Sequence, residues 1–265
     1  MTEWNASGYD RISALQAAMA EEVLSLLDLR GMERVLDIGC GSGKTTSEIA
    51  ARVPRGRVVG IDASSKMITF AAEHAATSTH SNLEFVVADA RQLTFKQEFD
   101  LVVSFNALHW IPEQALALES IRAAIKPVGV VQLRLVSKGK RKSLENVLDE
   151  TRLSPRWTPY FAGFHDPYLH LTPEDYSALA EQHGFKVVRI HTADKSWDFE
   201  SRGSFAAFGT VTFVEWTQHL PEAVRFDFIN DVLDRYQKVA CTQSGEENFF
   251  RFYQMDVTLS PSGRA

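Results

Sequence analysis

The residues best suited to chemistry lie in one stretch, Val35-Leu36-Asp37-Ile38-Gly39-Cys40-Gly41-Ser42-Gly43-Lys44-Thr45-Thr46. A phosphate-wrapping P-loop needs G-x-x-x-x-G-K-[ST]. Gly43-Lys44-Thr45 supplies its end, but the first glycine would fall on Ile38. A dinucleotide fingerprint needs G-x-G-x-x-G. Gly39 and Gly41 fit, and Lys44 stands where the third glycine belongs. What remains is an acid at a strand end followed by G-x-G-x-G, a loop whose backbone can approach a ligand without a Cβ clash. The helix N-terminus behind it favours a carboxylate. Asp37 suits an ammonium or a set of loop N–H groups. Together these preferences describe an amino acid. Asp62, at the end of the next strand, can accept from both hydroxyls of a ribose. Asp89-Ala90, ending the third, can read an adenine amino group. Amino acid, ribose and adenine together describe S-adenosylmethionine.

These residues need a scaffold of alternating elements, and the hydrophobic pattern supplies one. Residues 10–28 read as an amphipathic helix, with Ile12, Leu15, Met19, Val23 and Leu26/Leu27 at helical spacing. Short apolar runs at 34–38, 58–61, 83–88, 99–105 and 130–136 read as strands, with helices expected at 44–53, 65–76 and 113–125. Pro112 suits a helix N1 position, and Lys126-Pro127-Val128-Gly129 breaks the helix that follows. Strands alternating with helices imply parallel pairing through crossovers, hence a doubly wound α/β sheet. Beyond Ser137 the rhythm fails. A short helix near 143–152, a Pro-rich loop, and a helix from Thr172-Pro173 to His183-Gly184 precede a strand at 185–193. Residues 201–217 and 221–239 read as helices and 248–259 as a last strand, with a tail from Ser260 expected to fray.

Composition narrows the function classes. The 265 residues carry a net charge of −6, against the basic surface that non-specific nucleic-acid binding requires. No Asn-Pro-Pro-Tyr-type base-flipping signature follows the fourth strand, where Asn106-Ala107-Leu108-His109 stands. Cys40 and Cys241 cannot form a disulfide framework, which points to a reducing, cytoplasmic compartment. No apolar run approaches the ~20 residues that span a bilayer, and Met1-Thr2-Glu3-Trp4-Asn5 lacks a signal-peptide start. His165, His170 and His183 lack metal-ligand spacing, so no metal is expected. Cys40, between glycines, reads as a small filler rather than a nucleophile.

The four motifs Asp37-Ile38-Gly39-Cys40-Gly41-Ser42-Gly43, Gly60-Ile61-Asp62-Ala63-Ser64, Ala88-Asp89-Ala90 and Phe99-Asp100-Leu101-Val102 resemble, in order, the class I S-adenosylmethionine-dependent methyltransferases. The likeness covers residues 34–136, with Lys126-Pro127-Val128-Gly129 a small departure where the family commonly has a second glycine. It implies a Rossmann-like, doubly wound, seven-stranded sheet, mostly parallel with an antiparallel last strand, plus a helical lid. The implied division is a cofactor-binding core at 1–136, a lid insertion and return helix at 137–184, and a core strand at 185–194. A helical lid at 195–247 and a last core strand and tail at 248–265 complete it. The implied cofactor set is Tyr9, Asp37, Gly39, Cys40, Gly41, Asp62, Ala63, Met67, Asp89, Ala90 and Asn106. Trp4-Asn5 with Tyr9 and Gln16, Asn106-Ala107-Leu108-His109-Trp110, and the helical region 201–239 further resemble the trans-aconitate and juvenile-hormone-acid methyltransferases. Both groups esterify small carboxylic acids, with the N-terminal segment folded over the cofactor.

A carboxylate is already an anion at neutral pH, so its methylation needs alignment and exclusion of water rather than a base. Gln16 and Trp110 are the expected donors to it, with His109 and Arg134 as further candidates. Each also has a bland reading: Gln16 solvated, Trp110 in the core, His109 against the cofactor, Arg134 in a salt bridge. Acceptors at carbon, nitrogen or a phenol would instead need a base, for which His109 is the candidate. A cofactor-binding protein without catalysis is a third class. Lys138-Gly139-Lys140-Arg141-Lys142 reads as a solvated loop or as a dock for an acidic acyl carrier. Trp157, Tyr160, Phe161, Phe164 and Tyr168, with Phe205, Phe208, Phe213 and Trp216, either pack a lid onto the sheet or wall the substrate pocket. Phe161 and Phe208 are the chosen substrate contacts, which favours a hydrophobic acid. A tricarboxylate would want more arginine than Arg134, Arg152 and Arg156 provide. The expected partner is a small molecule, with no nucleic acid or membrane, and the assembly a monomer or homodimer.

Overall fold

The computed structural model describes residues 19, 21–75 and 81–263. Residues 10–18 and 20 of the 10–28 helix expected from the sequence, Gln16 among them, lie outside these residues, as does Tyr9. The described chain runs β1 (Arg34–Ile38), α1 (Lys44–Arg52), β2 (Arg57–Asp62), α2 (Ser65–Ala75), β3 (Leu83–Val87) and β4 (Phe99–Phe105). It continues through α3 (Gln114–Ala124), β5 (Ile125–Val136), α4 (Leu144–Arg152), α5 (Pro173–Gln182) and β6 (Phe185–Asp198). It closes with α6 (Arg202–Thr212), α7 (Val214–Thr217), α8 (Glu222–Ala240) and β7 (Phe249–Pro261).

The strands form one seven-stranded sheet in the order β3-β2-β1-β4-β5-β7-β6. The first five pair in parallel, and β7 is antiparallel to both neighbours. Period-two alternation sorts strand side chains onto two faces. Leu36, Ile38, Val59, Ile61 and Val102 pack with α3 and α5, through residues such as Leu118, Ile121 and Tyr176. Val35, Val58, Leu101 and Val103 pack on the opposite face against Ile49 and Ala50 of α1 and against Leu24. From β1 the chain winds outward to β3, then returns to place β4 on the other flank of β1. This reversal opens a crevice beyond the carboxyl ends of β1 and β4, the place where ligands settle in open α/β sheets.

Five details differ from the sequence expectation. The tail does not fray from Ser260, because Ser260 and Pro261 pair with Lys186 and Phe185 at the end of β7. Pro112 precedes the Glu113 N-cap rather than occupying N1 of α3. The Lys126-Pro127-Val128-Gly129 break lies inside β5, where the register jumps from Phe99↔Ile125 to Leu101↔Val130. Pro127 lacks an N–H to give the ladder, and the irregularity absorbs it. The region 201–217 is two helices, with Phe213 both ending α6 and capping α7. β6 runs on to Asp198, beyond the expected end, because Asp194–Asp198 pairs with Tyr253–Phe249. β5 pairs with β7 only as far as Gln254. The β6–β7 ribbon thus projects past the sheet and carries Phe250 and Phe252 into an aromatic cluster with α4, α6, α7 and α8.

Candidate active site

The crevice at the switch point holds a cavity of about 490 Å³. Its floor is the glycine loop between β1 and α1. Gly39, Gly41 and Gly43 have φ of +73°, +53° and +76°, in the left-handed region that suits glycine. A Cβ on Gly39 would lie 2.2 Å from the Ala107 Cβ, whereas one on Gly41 would meet nothing within 4 Å. The first glycine therefore lets two loops touch, and the second keeps a wall of the cavity bare. The N–H groups of Gly39 and Cys40 both donate to the Ile61 carbonyl, at 2.8 and 2.9 Å, which pins the loop to β2. α1 has no side-chain N-cap and no acid in its first turn, so no side chain of its own neutralises its positive end.

The acids sit around this loop. Asp37 is 3% exposed and accepts from the Thr46 hydroxyl at 2.7 Å. Burial pushes its pKa up to about 6, against the Thr46 hydrogen bond and with help from the Asp62 charge. Asp62 accepts from the Gly41 N–H at 3.1 Å and the Ser64 N–H at 2.9 Å, which fixes its carboxylate at the cavity wall. Asn106 follows β4 with φ +57°, and its buried Oδ1 has no partner among the described residues. Burial raises the Cys40 thiol, which keeps it neutral and unreactive. Ala63, Met67 and Ala90 also line the cavity. A loop with a bare glycine, an acid, an uncapped helix start and an orphaned amide oxygen fits the amino-acid and ribose ends of S-adenosylmethionine.

Asp89 stands at the cavity with its carboxylate engaged by Arg91. It caps the turn at Ala90–Gln92, and Arg91 grips both of its oxygens, with contacts of 2.7–3.1 Å. It lines the cavity, but as the acid of a pair with Arg91, which lowers its pKa. Arg91 also reaches Glu113 at 2.9 Å. The signal was legible as an arginine two residues after the acid, within reach of an N-capping carboxylate.

The acceptor side is apolar. Leu108, Trp110, Ile111, Pro112 and Pro167 line it, and Trp110 packs edge-on to Trp216 at 6.3 Å. Glu215 of α7 also lines the cavity, a residue that no sequence pattern marked. Three expected substrate contacts lie elsewhere. Arg134 is 3% exposed and holds Asp256 through two contacts of 2.6 and 3.0 Å, with Glu22 at 3.2 Å. Phe161 packs among Phe164, His219 and Phe228, and Phe208 among Phe199, Phe205 and Phe250. His109 is also turned from the cavity. It is buried, its Nδ1 accepts from the Val136 N–H at 3.4 Å, and its ring faces His170. Burial holds its pKa well below the usual range, with the charge of His170 acting in the same direction. Among the described residues no His, Cys, Asp and Glu side chains cluster to hold a metal, and no helix is long and apolar enough to cross a membrane.

The sequence profile of the methyltransferase domain family matches residues 35–129, the stretch that builds this cavity floor. The trans-aconitate 2-methyltransferase of Deinococcus radiodurans is 27% identical over 255 residues, covering 94% of this chain and 95% of that one. The chain is a class I S-adenosylmethionine-dependent methyltransferase. Solved structures share the enzyme's fold. The YcgJ protein of Bacillus subtilis superposes with a TM-score of 0.67 at 16% identity, over 94% of this chain and all of that one. The phosphoethanolamine N-methyltransferase 2 of Haemonchus contortus, solved with S-adenosyl-L-methionine, gives 0.63 at 18% identity, over 97% of this chain and 57% of that one. In this methyltransferase the glycine loop, Asp37, Asp62 and Asn106 converge on one cavity with the Trp110 wall.

Proposed function

We propose that the enzyme methylates a small, hydrophobic acceptor at a carboxylate oxygen. Asp37, the glycine loop with the α1 start, Asp62 and Asn106 would hold S-adenosylmethionine, with Gly39, Cys40, Ala63, Met67 and Ala90 shaping its bed. When bound, this cofactor supplies a methyl group on a positive sulfonium, the electrophile of a direct displacement. The chain's part is to orient the acceptor and keep water out. Leu108, Trp110, Ile111 and Pro112 make the dry wall that this requires.

The observation that carries the reading is the placement of His109. Its ring is outside the cavity lining, and its Nδ1 already accepts a backbone N–H. A phenol, amine or carbon acid needs a base at the acceptor, whereas a carboxylate does not. The similarity to a trans-aconitate methyltransferase supports the same acceptor atom. Gln16 and Tyr9, outside the described residues, stay in the proposal as a donor to the acceptor and a cover for the cofactor.

A helical lid at 137–184 and 195–247 belongs to this reading, supported by Pro167 and Glu215 at the cavity. Its aromatic residues pack chiefly on one another and stiffen the lid, while Trp110 and Met19, which pack against the same cluster, reach the cavity. In the basic loop Arg141 is taken by Asp194 and Lys142 by Glu150, which favours a free small-molecule acceptor over a carrier-bound one. A cytoplasmic location accords with two free cysteines.

The test is a methyl-transfer assay over fatty, terpenoid and tricarboxylic acids, with phenols and amines as contrast. Transfer to hydrophobic monoacids is expected, and His109→Gln should keep turnover within about tenfold. Loss beyond ~100-fold in that variant, or transfer only to the contrast panel, would overturn the carboxylate reading.

A further inference from the structure

The charges around the cavity are unevenly shared. Asp37, Asp62, Asp89 and Glu215 line it, against Lys44 and Arg91 among the described residues. Lys44 begins α1 at the glycine loop. Arg91 is spent on Asp89 and Glu113. The described lining thus places no unspent cation on the acceptor side, and Arg134, a substrate candidate on sequence grounds, is locked onto Asp256.

Glu215 owes its position to the break between α6 and α7. Phe213 ends one helix and caps the next, and its own side chain is buried. Trp216 then enters the aromatic cluster, fully buried, with its Nε1 donating to Asp149 at 3.3 Å. A helix turns about 100° per residue, so anchoring Trp216 in the cluster leaves Glu215 on another side, at the cavity. Its carboxylate accepts from Gln218 Nε2 at 3.1 Å, an uncharged donor that steadies it without cancelling its charge.

We infer that Glu215 is a specificity-determining residue that excludes acceptors bearing a second negative charge. The inference rests on the small-molecule acceptor of the proposed function but does not depend on its being a carboxylate. A like charge brought next to Glu215 is repelled, and no unspent cation of the described lining offsets it. An acceptor with one anionic group can aim it at the sulfonium. A di- or tricarboxylate must also put a charge against Glu215. The enzyme would therefore share an ancestral layout with trans-aconitate methyltransferases while rejecting their tricarboxylic class of substrate.

The experiment compares matched acceptor pairs that differ by one added carboxylate, drawn from both aliphatic acids and phenols. It measures kcat/KM for wild type, Glu215→Gln and Glu215→Lys. Wild type should prefer the less charged member by on the order of 100-fold, Glu215→Gln should cut that ratio about tenfold, and Glu215→Lys should cut it further. Turnover of the less charged member should stay within a few-fold in Glu215→Gln. An unchanged ratio in both variants overturns the inference. So does a uniform loss beyond ~100-fold on every acceptor, which is the behaviour of a general base. If only phenols are turned over, the carboxylate proposal fails while the phenol pairs still decide the role of Glu215.

Discussion

Asp37 shows how a single residue trades stability for binding. Its folded-state pKa, pushed up to about 6 chiefly by burial, lies above its ordinary value of 3.8. A raised acid favours folding while it is protonated, and that contribution is lost as pH rises through about 6. At neutral pH the ligand-free enzyme thus carries a cost on the order of 3 kcal/mol for keeping Asp37 charged. A bound ammonium would repay this by pairing with the carboxylate. Asp37→Asn should therefore raise the thermal midpoint of the ligand-free protein at pH 7.5. Calorimetric titration should show S-adenosylmethionine binding weakened by roughly 30-fold, the range expected for losing a charged hydrogen bond. Wild-type affinity should fall as pH drops below about 6, where Asp37 takes up a proton, and the variant should lack that step. Wild-type affinity in the variant would remove Asp37 from the cofactor site.

At the scale of elements, strand-end chemistry was legible where the sequence carries local constraints. The glycine loop and Asp62 are read from spacing, because a tight turn admits few residue types and the acid must follow its strand directly. Side-chain direction beyond the parallel strands was not legible. Arg134 is a donor candidate on local pattern alone, yet its position is decided by Asp256, 122 residues away. The two are register partners across the antiparallel β5–β7 pair, and no local pattern announces that pairing. His109 and Phe208 were equally hidden, since each follows packing between segments distant in the chain. The Arg134–Asp256 pair makes an element-scale prediction. Asp256→Ala leaves the buried Arg134 guanidinium with Glu22 as its remaining carboxylate and should cost about 3 kcal/mol in urea unfolding. Arg134→Met with Asp256→Leu, which removes both charges, should cost clearly less. Equal losses in the two proteins would mean that the pair does not hold β5 to β7 through its charges.

At the scale of the molecule, the sheet, the cavity and the aromatic cluster meet at one buried pair of imidazoles. His109 follows β4 at the cavity's back, and His170 faces it from the loop before α5, against the Tyr168 ring at 4.7 Å. Burial lowers both pKa values; His170's charge adds to the effect on His109, and Glu145 partly opposes the effect on His170. A histidine whose pKa is depressed by folding contributes stability that is complete above its unfolded value near 6.5 and lost as pH falls. Each can remove up to about 1.4 kcal/mol per pH unit until its folded pKa is reached. Asp37 acts in the opposite direction, regaining its favourable contribution as pH falls from about 6. The two effects overlap only in part, so the steepest loss should begin just below pH 6.5. Thermal midpoints measured from pH 7.5 to 5.0 should fall most sharply in that window. His109→Gln, which keeps an acceptor for the Val136 N–H, should flatten the fall without lowering the midpoint at pH 7.5 to the same degree. A variant whose profile runs parallel to wild type would place the acid sensitivity outside this pair.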